Sequence, residues 1–256
     1  MIKANGLTFI ALALLAASTG LSFVTLSGQV QPPANSSQQK KPKKDGEEVD
    51  KKQFPIVEIG ANAAGPPEST MTEERREKNK RYDGYRLVRK HSSTEIDETV
   101  MDIPWQERVP ALPVEQSAAI IIGEIREAKA YLSNDKSGVY TEITIRITEL
   151  LKADKHRTLT VGETLSADRP GGRVKYQNQH TRLYRVFGMN IPEVGRRYVL
   201  FLADSDQSPS YQIITGYELT PTGVSPLDVA PHFNAHQGEP ETSFLQKVRT
   251  AIENPD

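Results

Sequence analysis

The chain has 256 residues, and a hydrophobic fraction of 37% with a mean hydropathy of −0.52 supplies apolar material for one core rather than two. Lys plus Arg (32) nearly cancels Asp plus Glu (33), so no net field dictates a nucleic-acid or membrane partner and any electrostatic role must be local. The absence of cysteine excludes disulfides, thiolate nucleophiles, thiolate metal sites and a lipid-bearing cysteine, and leaves the fold to stand on packing.

After Lys3 the chain runs from Leu7 to Ala17 without a charge and continues more weakly through Leu21, Phe23, Val24 and Leu26. A basic start followed by an apolar stretch is the pattern of a secretory signal. Residues 7–26 together also approach the roughly 20 residues that span a bilayer. Two readings therefore stand for residues 1–28: a signal peptide cut after Ser18, or a retained membrane anchor. Both place the remainder outside the cytoplasm, periplasmic or secreted, with anchoring in the inner membrane if the segment stays. Lys40, Lys41, Lys43 and Lys44 outnumber Lys3 and the α-amine, and oppose that topology for a retained anchor.

Residues 29–70 are expected to be a disordered linker, since their Gln, Pro, Ser, Asn, Lys and Glu cannot bury enough surface to offset the entropy of ordering. Residues 71–116 read as a polar helix followed by an extended arm. Glu74/Lys78 and Glu77/Arg81 support a helix over 72–81, with Thr70 and Glu73 as a capping box. Such a helix is polar all round and marginal in isolation. In Ile103-Pro-Trp105 and Val109-Pro-Ala-Leu-Pro113 each proline pushes its predecessor out of the helical region, and Trp105 is expected to anchor the arm.

Residues 117–230 read as an all-β domain. The β-branched run Ala118 to Ile125 suits a strand buried on both faces. After the turn Ser133 to Gly138, Val139, Thr141, Ile143, Ile145 and Ile147 alternate with polar or amphipathic residues, so odd positions should face a core and even positions water or a ligand. Further strands are expected near 164–167, 174–176, 182–187, 197–203, 211–215 and 216–219, separated by Pro- and Gly-bearing turns. This spacing predicts an all-β barrel or sandwich, with Tyr198 to Ala203 in the middle of the sheet. Residues 231–256 complete the chain as a loop and a helix over 242–252. That helix turns Phe244, Leu245, Val248 and Ile252 to one side, is capped by Ser243 and Gln246, and is expected to cover an open end of the barrel. With the N-terminal hydrophobic helix, these complete the expected elements.

Ala111-Leu-Pro-Val, Ala130 to Tyr140, Arg169-Pro-Gly-Gly-Arg-Val174 and Val194 to Leu202 resemble a recurrent set of segments in uncharacterised exported proteins of soil bacteria. The resemblance covers Ala111 to Asp228 and implies no characterised activity. More loosely, the strand layout is similar to small OB-like or netrin-like barrels, and fold alone implies no function.

No motif supports catalysis: there is no Gly-x-Ser-x-Gly elbow, phosphate-cradling glycine loop or dinucleotide fingerprint. His232 and His236 have metal-like spacing, but Pro231, Gly238 and Pro240 bracket them and the intervening Phe-Asn-Ala holds no Glu, so a surface loop is expected. Asp204 with Asp206, and Asn134 with Asp135, read as turn formers rather than calcium ligands. No cofactor or metal is implied.

One local feature stands out. Arg169, Arg173, Lys175, Arg182 and Arg185 occur with Tyr176 and Tyr184, and no acid lies between Arg169 and Ile191. Guanidinium forks beside aromatic faces suit an anionic polymer, such as an acidic polysaccharide or another envelope component. Single-stranded nucleic acid would suit the same surface only if the chain were not exported. The alternative is a solvated hairpin whose charges protect a sheet edge. The expectation is therefore a non-enzymatic extracytoplasmic binding or structural module. A cell-envelope hydrolase with a site assembled from non-adjacent residues is the competing reading, marked by a pocket holding His180 or His232 beside a carboxylate and a hydroxyl.

Overall fold

The alternation at 139–148 falls within a longer strand, Val139–Lys152, in which Val139, Thr141, Ile143, Ile145 and Ile147 are all buried, as is Tyr140 among the even positions expected to face water or a ligand. The computed structural model describes residues 54–58, 71–90, 96–101, 109–205 and 210–254. The apolar segment at 7–26, the lysine-rich stretch, Trp105 and Asp206 lie outside them. No helix among the described residues is long and apolar enough to cross a membrane.

In chain order the elements are β1 (Ile56–Glu58), α1 (Glu73–Lys80), β2 (Leu87–Lys90), β3 (Ile96–Met101), β4 (Ala119–Leu132), β5 (Val139–Lys152), β6 (Thr164–Pro170) and β7 (Gly172–Lys175). These are followed by β8 (Thr181–Val186), β9 (Arg197–Ala203), β10 (Tyr211–Thr220), β11 (Gly223–Pro226), a 3-10 turn at Phe233–His236, and α2 (Glu241–Glu253). The described residues are thus mostly β, arranged in two sheets.

The larger sheet runs in the order β11-β10-β6-β5-β4-β9, and β10 also pairs with β9. The ladders therefore run from β4 through β5, β6, β10 and β9 back to β4. Every contact among these five strands is antiparallel except the short parallel one between β6 and β10, at Ala167 with Tyr211 and Asp168 with Gln212. Register shifts along β4 near Ile121, Gly123 and Glu127 bend the long hairpin, as β-bulges do. Strand parity sorts the apolar residues into two layers. Ile121, Ile125, Ile143, Ile145, Leu200 and Leu202 face one core cluster. Ile120, Ile122, Val199 and Phe201, from the opposite faces of β4 and β9, meet Phe244, Leu245 and Val248 of α2.

The second sheet has the order β1-β7-β8-β3-β2. The chain enters it from β6 through Gly171 and Gly172, whose φ values of 120° and 155° favour glycine. A Cβ on Gly172 would stand 2.7 Å from Val139 Cγ1 and 3.0 Å from Ala130 Cβ, so the backbone's close approach to β4 and β5 requires glycine. Met101, Val174, Tyr184 and Val186 bury against Ala130 and Val139 to form a third core.

Several expectations differ from the structure, and the N-cap of α1 is Thr72 rather than Thr70. The linker reading over 29–70 fails at 54–58, because Phe54 is fully buried in the main core and β1 pairs in parallel with β7, while the rest of that segment lies outside the described residues. The extended-arm reading of 71–116 omitted β2 and β3, which complete the second sheet by pairing β3 in parallel with β8. Both segments are too short and polar to announce strands alone and are held by partners some 85 to 120 residues away in sequence. Finally, α2 starts at Glu241 with Pro240 at its N-cap, so Ser243 and Gln246 lie inside the helix and form no capping box. The helix packs on Ile120, Ile122, Val199, Phe201 and Tyr217 of β4, β9 and β10.

Candidate functional site

The basic residues singled out from the sequence lie around the β7–β8 hairpin and are largely occupied by the chain itself. Arg169, at the end of β6, is fully buried and paired with Asp228, whose carboxylate also accepts from Thr215 Oγ1 at 2.7 Å and from the Asn190 amide at 3.0 Å. It therefore serves as an internal pin and offers nothing to a ligand. Burial pushes the Asp228 carboxyl upward, against the pull of Arg169.

Arg185 Nε donates to Glu98 at 2.6 Å in a pair that is about nine-tenths buried on both sides. Arg173 Nε donates to the Phe54 carbonyl at 2.5 Å. Lys175 pairs with the exposed Glu58 at 3.0 Å, and Arg182 lies 5.6 Å above the Tyr176 ring. Tyr176 and Tyr184 join hydroxyls at 3.0 Å, with Tyr184 nearly buried. The accessible part of the candidate contact surface is thus the hairpin tip, formed by Lys175, Tyr176 and Arg182 around the exposed turn at 177–179.

A second constellation, not anticipated as a site, forms where α1 docks on the even-numbered face of β5. The pairing of β5 with β6 puts Glu142 directly opposite Asp168. Like charges in register across two strands repel, and the Asp168 side chain has no exposed surface. Lys78 of α1 lies between them, 2.6 Å from Asp168 Oδ1 and 3.1 Å from Glu142 Oε2. Arg81 reaches Asp168 Oδ2 at 2.7 Å, where Ser210 Oγ also donates at 3.0 Å. Arg75 donates to Glu142 at 2.6 Å and to the Tyr140 hydroxyl at 3.0 Å, with its guanidinium 4.0 Å above the Tyr131 ring. Burial works to raise the Glu142 carboxyl, but the hydrogen bonds and charges of Arg75 and Lys78 outweigh it and hold the carboxyl below its ordinary value.

The segment after α1 fastens the same contact. Tyr82 is buried and stacks on Tyr140 with ring centroids 4.2 Å apart and 9° between planes. Asp135 accepts from the Gly84 amide at 2.7 Å, and Asp83 accepts from the Asp135 amide at 3.0 Å. A Cβ on Gly138 would collide with the Tyr82 carbonyl and the Tyr85 ring. Asn134 and Asp135 thus form the expected turn and also hold α1 to it, with Asn134 donating to the Arg76 carbonyl at 2.9 Å.

A groove of about 400 Å³ lies beside the loop after β5, lined by Glu115, Ser117, Lys152, Lys155, His156 and Asp204. Two of its polar side chains serve the backbone, and Asp204 pairs with Arg157 at 2.6 Å. Lys152 Nζ donates to the Val114 and Ser117 carbonyls at 2.8 and 2.6 Å, and Ser117 Oγ donates to the Pro113 carbonyl at 2.7 Å. His180 and His232 do not line it. His236 packs its ring against Phe244 and Tyr217 beneath α2 and contacts Glu239 at 3.1 Å, so it belongs to a packed turn rather than a surface loop. Among the described residues no group of three or more His, Cys, Asp or Glu is placed to hold a metal ion.

Two features of the sequence bear on the α1 contact. Arg75, Lys78 and Arg81 recur every three residues, and Tyr140 and Glu142 share the even face of the most regular strand. Nothing in the sequence reports that Asp168, beside the conspicuous Arg169, stands opposite Glu142. The chain matches no protein-family model and no curated protein.

Proposed function

We propose that the chain is a non-enzymatic, extracytoplasmic binding or structural module built on a small OB-like barrel of β4, β5, β6, β9 and β10. The barrel reading is supported by the ladders that return from β9 to β4 through β10, with the third and fifth strands parallel. In this reading the N-terminal segment directs export or anchors the chain, and the β7–β8 tip contacts anionic polymer of the envelope.

The observation that carries the contact reading is the arrangement of Lys175, Tyr176 and Arg182. A guanidinium lies over an aromatic ring beside an ammonium whose partner, Glu58, is two-thirds exposed. An exposed pair of this kind contributes about 0–1 kcal/mol, so a polyanion can displace the glutamate at little cost. Arg169 and Arg185, held in buried pairs, take no part.

Retention on an immobilised acidic polysaccharide tests this reading. Lys175→Gln with Arg182→Gln should elute at clearly lower salt than wild type, whereas Arg249→Gln, which removes an exposed cation from α2, should elute with wild type. Equal elution of the double variant and wild type would remove the hairpin tip as the contact. Cell fractionation with sequencing of the mature N-terminus tests export separately, and intact unprocessed chain confined to the cytosol would defeat that part of the reading.

A further inference from the structure

We propose that the face of β4, β5 and β6 framed by Tyr131, Tyr140, Glu142 and Asp168 is a recognition slot for a basic helical peptide segment, and that α1 is the chain's own occupant of it. The inference stands apart from the hairpin reading, because it concerns a different face and a ligand of opposite charge.

Three observations converge on it. Glu142 and Asp168 are opposed across a β-ladder, one of them fully buried, an arrangement that repels unless a cation stands between the carboxylates. Lys78 supplies that cation from a separate element. Next, the slot has three subsites at the spacing of successive helical turns. Arg75 lies over Tyr131 and against Glu142 and Tyr140, Lys78 bridges the two carboxylates, and Arg81 meets Asp168 and Ser205 Oγ. Residues three apart on a helix face the same way, so the slot matches an Arg-x-x-Lys-x-x-Arg face in both charge and pitch. Finally, α1 has eight residues and no apolar face, so it forms as a helix chiefly because the slot holds it.

The resident segment is the kind of ligand that the slot selects. A guanidinium over a tyrosine ring and hydrogen-bonded to a carboxylate recognises arginine by shape as well as by charge. Tethering gives α1 an effective concentration in the millimolar range, enough to fill the slot even if the contact is weak between separate molecules. A basic segment from a partner that adds apolar contacts of its own would displace it, and Arg75, Lys78 and Arg81 would then pass to solvent.

Titration of the full chain with a fluorescently labelled peptide of residues Met71–Arg86 tests the slot. The variant Arg75→Gln/Lys78→Gln/Arg81→Gln, with its own occupant weakened, should bind the peptide at least about ten-fold more tightly than wild type, whose slot is filled. Adding Glu142→Gln and Asp168→Asn to that variant should abolish binding, and raised salt should weaken it. Equal binding by wild type and the triple variant, or binding that survives loss of both carboxylates, overturns the proposal. So does a folded triple variant that ignores the peptide, including one that instead takes up calcium, which would make the carboxylate pair a metal site. Circular dichroism monitors folding. Should the triple variant not fold, Arg75→Gln alone enters the same titration, where a several-fold gain over wild type supports the slot and no gain overturns it.

Discussion

The two helices cover different parts of the same sheet, both on the side turned away from the main core cluster, and do so by opposite means. The α2 contact is made by Phe244, Leu245 and Val248, all nearly or fully buried against Ile120, Ile122, Val199 and Phe201. Burying each such side chain contributes about 1.5–3 kcal/mol without fixing a direction. The α1 contact buries Lys78 and Asn79 instead, and ties them to Asp168, Glu142 and Tyr140 through atoms that must meet at hydrogen-bond distance. Buried ion pairs give up hydration to form, so their net contribution is small, yet removing one member is costly. The contrast teaches that one sheet can hold one element by apolar burial, which is tolerant of direction, and another by placed charges, which is not.

A direct way to break the contrast is Phe244→Ala. Loss of a fully buried ring should lower unfolding free energy by about 3–5 kcal/mol in urea titrations. The loss should be the same at low and high salt, since no charge pair lies at its centre. A loss that depended strongly on ionic strength would mean that α2 also docks through charge.

Acid should separate the two contacts. Glu142 has its folded-state pKa below the ordinary 4.5, with burial opposing and Arg75 and Lys78 prevailing. Asp135, which holds the Gly84 amide, is likewise lowered, its hydrogen bonds from Ser137 and Gly84 overcoming burial. A lowered carboxyl contributes stability that is complete above the unfolded value and disappears as pH falls through the folded one. Hydrogen-exchange protection of α1 amides, corrected for intrinsic rates, should therefore fall as pH drops below 4.5 while the core face of α2 keeps its protection. Simultaneous loss at both helices would show that α1 opens only with the whole domain.

The smallest expected effect concerns the start of α1. Thr72 is its N-cap and accepts from the Arg75 amide at 3.3 Å, a long bond. Thr72→Ala should cost about 0.5 kcal/mol and should accelerate exchange in α1 alone. A larger effect reaching β5 would tie helix formation to the sheet more tightly than the contacts imply.

What was legible in the sequence followed from periodicity. The alternation from Val139 to Ile147 predicts which side of β5 faces the main core, though not that Tyr140 on the other side is buried as well, and Tyr198 to Ala203 is flanked by β4 and β10, as a run apolar throughout requires. The apolar stripe of α2 is visible for the same reason, although its capping residues are not. By contrast, β1 and β2 have too few residues for a pattern, and β3, Ile96–Met101, shows no clean alternation. Parallel pairing with β7 and β8 is what makes β1 and β3 strands. The candidate site divides likewise: the cluster of cations from Arg169 to Arg185 can be read directly, but their partners Asp228, Phe54, Glu58 and Glu98 lie far away in sequence.

The sequence by itself determined which residues alternate, where apolar runs bury, and that one short helix is charged on every side, because these are properties of neighbours along the chain. Only the tertiary structure decided which charges meet. Placing Glu142 opposite Asp168, Lys78 between them and Arg169 against Asp228 depends on strand register and on docking across tens of residues. Electrostatic energy in a low-dielectric interior depends on distances of a few ångströms, which sequence separation does not specify.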